Sequence, residues 1–182
     1  MLVPAIIDKL KAIVGVGNVA TDRQDLLCYG YDATQMEFLP DAVVHPGNTD
    51  EVSQILKLAN AHGFPVFPRG AGSGFTGGAL PKGGGIVLVL TRLNRILRID
   101  TENLIAEVEP GVVTEQFQIE VEKLGLFYPP DPASLKFSTS LKGTWRKPCR
   151  SGSKNFCTFS WPVAETVAMV RPWNESVAVM IS

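Results

Sequence analysis

The run Pro68-Arg69-Gly70-Ala71-Gly72-Ser73-Gly74-Phe75-Thr76-Gly77-Gly78 constrains this chain more than any other feature, placing five glycines and two hydroxyl residues in eleven positions. Glycine has no Cβ and reaches positive φ at no steric cost, so successive backbone N–H groups can turn into one concavity. Such a concavity suits a phosphate group, and the Ser73 and Thr76 hydroxyls can add donors. A flexible turn or hairpin tip also uses glycine. The flanks weigh against that reading, because residues 64–67 and 86–90 read as buried strands. A long loop between buried strands is usually functional or disordered. A phosphate-bearing ligand is the expectation.

Helical and extended patterns alternate around this loop up to about residue 139. Pro4 opens a helix with Ile6, Ile7, Leu10 and Val14 on one face. Asp22 and Asp25 belong to an early helix, on its solvated face or at its cap. Residues 41–45 form a short strand before Pro46. Asn48 and Glu51 make a capping box for a helix carrying Val52, Ile55, Leu56 and Ala59, which Gly63 stops. Residues 86–90, all Ile, Val or Leu, suit a strand buried on both faces. Residues 96–99 and 104–108 follow as strands, with Asn103 in the turn between them. Thr114 caps a further helix with Phe117, Val121 and Leu124 inward and Gly125 at its end. Residues 42–90 should therefore form a strand–helix–strand–loop–strand unit, and the fold class is α+β.

The ligand can be narrowed by exclusion. Gly72-Ser73-Gly74-Phe75-Thr76-Gly77 matches GxGxxG, yet a dinucleotide fingerprint needs a helix starting inside it. Pro81 and Gly83-Gly84-Gly85 oppose such a helix. A P-loop fails because Lys82 is followed by Gly83 rather than Ser or Thr. A nucleotide held by a loop without a crossover helix is what survives. His45 and His62 read as surface or turn groups, and no acid–base constellation is apparent.

Three ordered motifs carry a resemblance. The glycine run, Pro110-Gly111-Val112-Val113-Thr114-Glu115-Gln116-Phe117, and Tyr128-Pro129-Pro130-Asp131-Pro132-Ala133-Ser134-Leu135-Lys136-Phe137-Ser138-Thr139 resemble the FAD-binding domain of the vanillyl-alcohol oxidase/p-cresol methylhydroxylase (PCMH) superfamily. The branch that looks nearest contains the glycolate oxidase FAD subunit and the D-lactate and 2-hydroxyglutarate dehydrogenases. The likeness runs from about residue 27 to residue 139 and implies the N-terminal part of a PCMH-type FAD-binding domain.

It also implies FAD as cofactor, with Pro68, Arg69, Gly70, Gly72, Ser73, Gly74 and Gly77 around the pyrophosphate. Pro130, Asp131, Ser138 and Thr139 resemble the family's second stretch of flavin contacts; Asp131 serves equally well as a turn residue. No histidine lies near Ala71, so the flavin would be held noncovalently. Full-length relatives would oxidise a small-molecule 2-hydroxy acid by hydride transfer to the flavin and return electrons through a partner, often an iron–sulfur subunit. The family's substrate cap and catalytic residues would lie beyond position 182, so this chain alone would not turn over. A stand-alone nucleotide-binding module and an unstable truncated product with no ligand are the competing readings.

Composition bounds the partners. A net charge of −1 with 19% charged residues gives no field that would recruit nucleic acid or anionic lipid. Cys28, Cys149 and Cys157 lack CxxC spacing and fit free thiols in a reducing compartment. No apolar run approaches the roughly 18 residues of a membrane span, and the first residues lack a secretory pattern. A cytoplasmic location is expected.

The chain divides into residues 1–40 as an N-terminal helical segment, 41–139 as a partial FAD-binding domain and 140–182 as an atypical tail. Residues 140–164 contain no acid before Glu165, but carry Lys142, Arg146, Lys147, Arg150 and Lys154. All three tryptophans lie beyond Thr139. That composition could be read as a basic, aromatic nucleic-acid or membrane-binding tail, but the resemblance weighs against it, because the family pattern continues after Phe137-Ser138-Thr139 with an apolar residue and then Gly-Gly-Asn-Val-Ala-Glu-Asn. A reading-frame change accounts for the switch. Encoding Lys142 to Lys147 as AAG GGA ACG TGG CGG AAA and starting at the third base yields Gly-Asn-Val-Ala-Glu.

Overall fold

The computed structural model describes residues 2–128, 135–139, 166–169 and 171–172. Helix α1 (Pro4–Val14) starts with proline in its first turn and buries Ile6, Leu10 and Val14. Strand β1 (Val19–Ala20) and helix α2 (Arg23–Tyr29) follow, with Asp22 at the N-cap position. Strand β2 (Ala42–Val44) leads to helix α3 (Thr49–His62). The Asn48 side chain accepts from the Glu51 N–H at 2.9 Å, and the Glu51 carboxylate returns to the Gly47 N–H at 2.7 Å. Gly63 ends the helix in the left-handed conformation, φ 69°.

Strands β3 (Val66–Arg69) and β4 (Ile86–Val89) complete a four-stranded sheet in the order β1-β2-β4-β3. β2 and β3 flank β4 in parallel, and β1 runs antiparallel to β2. Alternation along the strands fills two faces. Ala42, Val44, Ile86 and Leu88 pack with Ile6, Leu10, Val14, Val52 and Ile55 of α1 and α3. Val43, Val87 and Val89 pack on the opposite face, where Leu26 and Tyr29 of α2 lie against them. The expected burial of β4 on both faces holds, and the strand–helix–strand–loop–strand order over residues 42–90 is as read from the sequence.

β3 begins two residues later than the pattern implied and is half-buried until Arg69. Pro65 has no N–H to give a ladder, although its carbonyl accepts from the Ile86 N–H at 3.0 Å. Pro68 is tolerated because β3 is the sheet's edge among the described residues.

The second unit is a hairpin, β5 (Ile96–Asp100) and β6 (Ile105–Val108), with helix α4 (Thr114–Glu122) packed nearby. Asp100 Oδ1 accepts the Glu102 and Asn103 N–H groups across the turn, and Leu104 takes φ 57°. Ala106, Val108, Val112, Phe117, Val121 and Tyr128 form its core. Two helix details differ from expectation. Thr114 is the first helical residue rather than the cap, since Val113 occupies the N-cap position. Leu124 is 50% exposed, because the helix stops at Glu122 before its period can carry Leu124 inward. Strand β7 (Leu126–Phe127) follows, while β8 (Thr166–Met169) pairs antiparallel with β6 and β9 (Arg171–Pro172) with β7. No helix among the described residues is long and apolar enough to cross a membrane.

Candidate cofactor-binding site

β3 and β4 are parallel neighbours, so the chain must travel from the carboxyl end of one to the amino end of the other. Residues 70–85 make that journey without a helix. The three glycines 83–85 bring it to β4 with φ of 92°, 85° and 93°. A Cβ at Gly85 would overlap the Pro65 carbonyl, and its N–H donates to Asp41 Oδ2 at 2.9 Å. These glycines serve the crossover itself. The helix that a GxGxxG dinucleotide site requires does not form.

The glycine run therefore lies at the carboxyl end of the parallel strands, where open sheets of this kind place their ligands. Gly72 and Gly77 both have φ 72°. Ala71, Phe75, Thr76 and Gly78 are exposed, while Gly72, Ser73, Gly74 and Gly77 are partly so. Nothing stands within 4 Å of the place a Gly74 Cβ would take. Among the described residues, no group accepts a hydrogen bond from the N–H groups of residues 71–78. A loop with positive φ, open faces and uncommitted donors fits a pyrophosphate by the chemistry of its donor set.

The second motif arrives beside the first. Gly70 packs against the Thr139 side chain, which occupies the space a Cβ would need. Ser138 and Thr139 are 1% and 5% exposed. The Ser138 carbonyl accepts from the Thr114 N–H at 2.8 Å and from Thr114 Oγ1 at 3.0 Å, and Val113 bridges Thr139. Gly111 closes the circuit: its N–H donates to the Leu93 carbonyl at 2.7 Å, and it sits against the Leu90 and Leu93 carbonyls. The Leu90 N–H then donates to the Arg69 carbonyl at 2.9 Å. All three sequence motifs thus converge at one end of the sheet. Pro130 and Asp131 lie outside the described residues.

Arg69 departs from a simple phosphate contact. It is 5% exposed, and its Nη1 donates to the Tyr31 carbonyl at 2.6 Å. Its guanidinium lies 5.7 Å from the Tyr29 ring centroid. Burial lowers its pKa from the ordinary guanidinium value, while Tyr31, Asp32 and Tyr29 oppose the shift; arginine stays a cation throughout. Sequence reasoning missed the wall formed by residues 29–36, where Met36 Cε comes within 4.0 Å of the Gly77 Cβ position. Carbonyl acceptors carry no residue-type signature, so nothing in the sequence pointed to them.

His45 stacks edge-on to Tyr29 at 5.5 Å, and burial, then Arg92, lowers its pKa despite Asp25. Exposed His62 meets Lys9 at 3.2 Å. Neither joins the glycine loop. Cys28 is a free, exposed thiol.

The chain belongs to the FAD binding domain family, whose profile matches residues 40–141. It is 46% identical over 140 residues to glycolate oxidase subunit GlcD of Bacillus subtilis, covering 76% of this chain and 30% of that protein. It is 36% identical over 143 residues to a D-lactate dehydrogenase of Anaerostipes hadrus, covering 75% and 29%. Among solved structures, p-cresol methylhydroxylase with substrate bound matches with TM-score 0.65 and 28% identity, over 74% of this chain and 27% of that one. Alkyldihydroxyacetonephosphate synthase shares the fold, with TM-score 0.68 and 23% identity over 77% and 28%. The chain spans under a third of the length of each of these relatives.

Proposed function

We propose that this chain is the FAD-holding portion of a 2-hydroxy acid oxidoreductase of the glycolate oxidase or D-lactate dehydrogenase type. The observation that carries the reading is the meeting of Gly70 with Thr139, which joins the glycine loop to the second family motif. In this reading the backbone of Gly70, Gly72, Ser73, Gly74 and Gly77 faces the pyrophosphate, Pro68 sets the loop's entry, and Ser138 and Thr139 border the flavin side. Pro130 and Asp131 belong to the same proposal through the family motif. FAD supplies the hydride-accepting chemistry when bound. The protein's part is to orient it and to fix donors ahead of its arrival.

The relatives' names support a small 2-hydroxy acid as substrate, and the family likeness extends the proposal to an electron-transfer partner such as an iron–sulfur subunit. A cytoplasmic location is part of the same reading, supported by the free Cys28. Turnover by these 182 residues alone is not expected, because the relatives are more than three times as long as the matched region. The tail at 140–182 is taken as a shifted reading frame, supported by its composition and the displaced Gly-Asn-Val-Ala-Glu pattern.

Absorption spectra of the purified chain titrated with FAD test the proposal. Bound flavin with a perturbed visible band is the expected result. Affinity for ADP without a flavin signal would favour a nucleotide module, and neither would leave a ligand-free product. Gly72→Val forces a β-branched residue to φ 72° against the Arg69 guanidinium. Flavin binding should then be abolished, and undiminished FAD in a folded variant would sink the assignment.

A further inference from the structure

We infer that Arg69 is a positioning residue that shapes the glycine loop from behind, rather than a ligand of the phosphates; the link to FAD rests on the function proposed above.

Four contacts converge on this side chain. It is the last residue of β3, so its backbone is fixed by the ladder to Val89 and by the Leu90 N–H on its carbonyl. The side chain turns into the protein. Nη1 reaches the Tyr31 carbonyl at 2.6 Å and the Tyr29 carbonyl at 3.5 Å, and the guanidinium faces the Tyr29 ring at 5.7 Å. Three residues later the loop folds back over it: Gly72 takes φ 72°, and the guanidinium occupies the place of its Cβ. The guanidinium thus becomes the template on which the first turn of the loop is laid.

Residues 29–32 and 70–72 are far apart in sequence, and this one cation spans both. Asp32, 5% exposed, stands near enough to favour the charge, and it accepts from the Thr34 N–H and hydroxyl, which fixes its orientation. Lysine cannot replace the arrangement. An ammonium keeps the charge but lacks the extended guanidinium whose Nη1 meets the tyrosine carbonyls while Nη2, Cζ and Nε fill the space beside Gly72. A residue acting only through its charge would tolerate lysine, and one that sets geometry would not.

Arg69→Lys and Arg69→Gln in the 182-residue chain separate these roles. Without ligand, amide hydrogen exchange reads the end of α2 and backbone chemical shifts read the loop, with Ile86–Val89 as the internal control of folding. Exchange at Tyr29 and Gly30, whose amides close the last turn of α2, should rise about tenfold or more in both variants, and the backbone resonances of residues 70–74 should shift, while β4 stays protected. FAD affinity should fall at least tenfold in Arg69→Lys as well as in Arg69→Gln. Unchanged exchange with weakened FAD would make Arg69 a direct phosphate contact and overturn the inference. Retained affinity and unchanged exchange in Arg69→Lys would overturn it too. Raised exchange in a chain whose wild type binds no FAD would leave the brace standing and remove the function. Should both variants lose β4 protection, Tyr29→Leu takes their place: shifted backbone resonances at residues 70–74 support the inference, and unchanged ones overturn it.

Discussion

The glycines of residues 70–85 divide by what surrounds each of them. Gly85 has φ 93° and no room for a Cβ beside the Pro65 carbonyl, so the fold itself demands it. Gly74 has open space around it and is not among the positive-φ residues, so the fold does not. This predicts opposite outcomes for two alanine variants. Gly85→Ala should lower stability by roughly 2–4 kcal/mol in urea unfolding, from backbone strain plus overpacking. Gly74→Ala should leave stability within about 0.5 kcal/mol, as for other uncrowded surface sites. FAD affinity should nevertheless drop in Gly74→Ala if a ligand approaches that backbone. Full affinity there would remove Gly74 from the cradle.

At the scale of elements, the β5–β6 hairpin is pinned at its open end by a buried carboxylate. Glu109 Oε1 accepts Arg95 Nε and Nη2 at 3.0 and 2.7 Å, and Oε2 accepts the Arg95 N–H at 2.7 Å. Burial pushes the Glu109 pKa up, but the Arg95 hydrogen bonds and charge outweigh it, leaving a value below the ordinary 4.5. A depressed carboxyl stabilises the fold above its unfolded value. That contribution is lost as pH falls below 4.5 and through the folded value. Because the Arg95 side chain is 70% exposed, solvent screening keeps the pair weak. Thermal melts should show a flatter acid limb for Glu109→Gln than for wild type. Identical slopes below pH 4.5 would refute this account. Tyr128, pushed up to about 12 by burial, stays neutral across this range.

For the whole molecule, residues 2–20 and 42–90 share one core, since α1 packs with β2, β4 and α3. The hairpin leaves the far edge of β6 open, and β8 fills it by main-chain pairing from Val108↔Thr166 to Ile105↔Met169. An open edge accepts extended backbone with little regard for side chains. Under the frame-shift proposal, residues 166–169 were never selected to pack there. Their amides should exchange within seconds, whereas those of β4 should be protected by orders of magnitude more. Comparable protection in β8 and β4 would mean that the tail is a selected element, and sequencing codons 139–148 would then show no displaced frame.

Local signals carried much of the architecture. Pro4, the Asn48–Glu51 cap and Gly63 set helix ends because their conformational preferences act within a few residues. The apolar run at 86–90 marked the central strand, since only burial on both faces stabilises such a run. Pro81 and the glycines 83–85 excluded a helix after the loop for the same local reason. Other features depend on atoms distant in sequence, and only the tertiary structure decided them. Arg69 turned inward because the Tyr29 and Tyr31 carbonyls lay within its reach, and any residue type presents a carbonyl. Thr139 came to rest on Gly70 through Thr114 and Ser138. Leu124 stayed exposed because the helix ended one turn too soon. Residue types reveal which backbone conformations and buried faces are possible, whereas the partner of a buried polar group is set by chain packing alone.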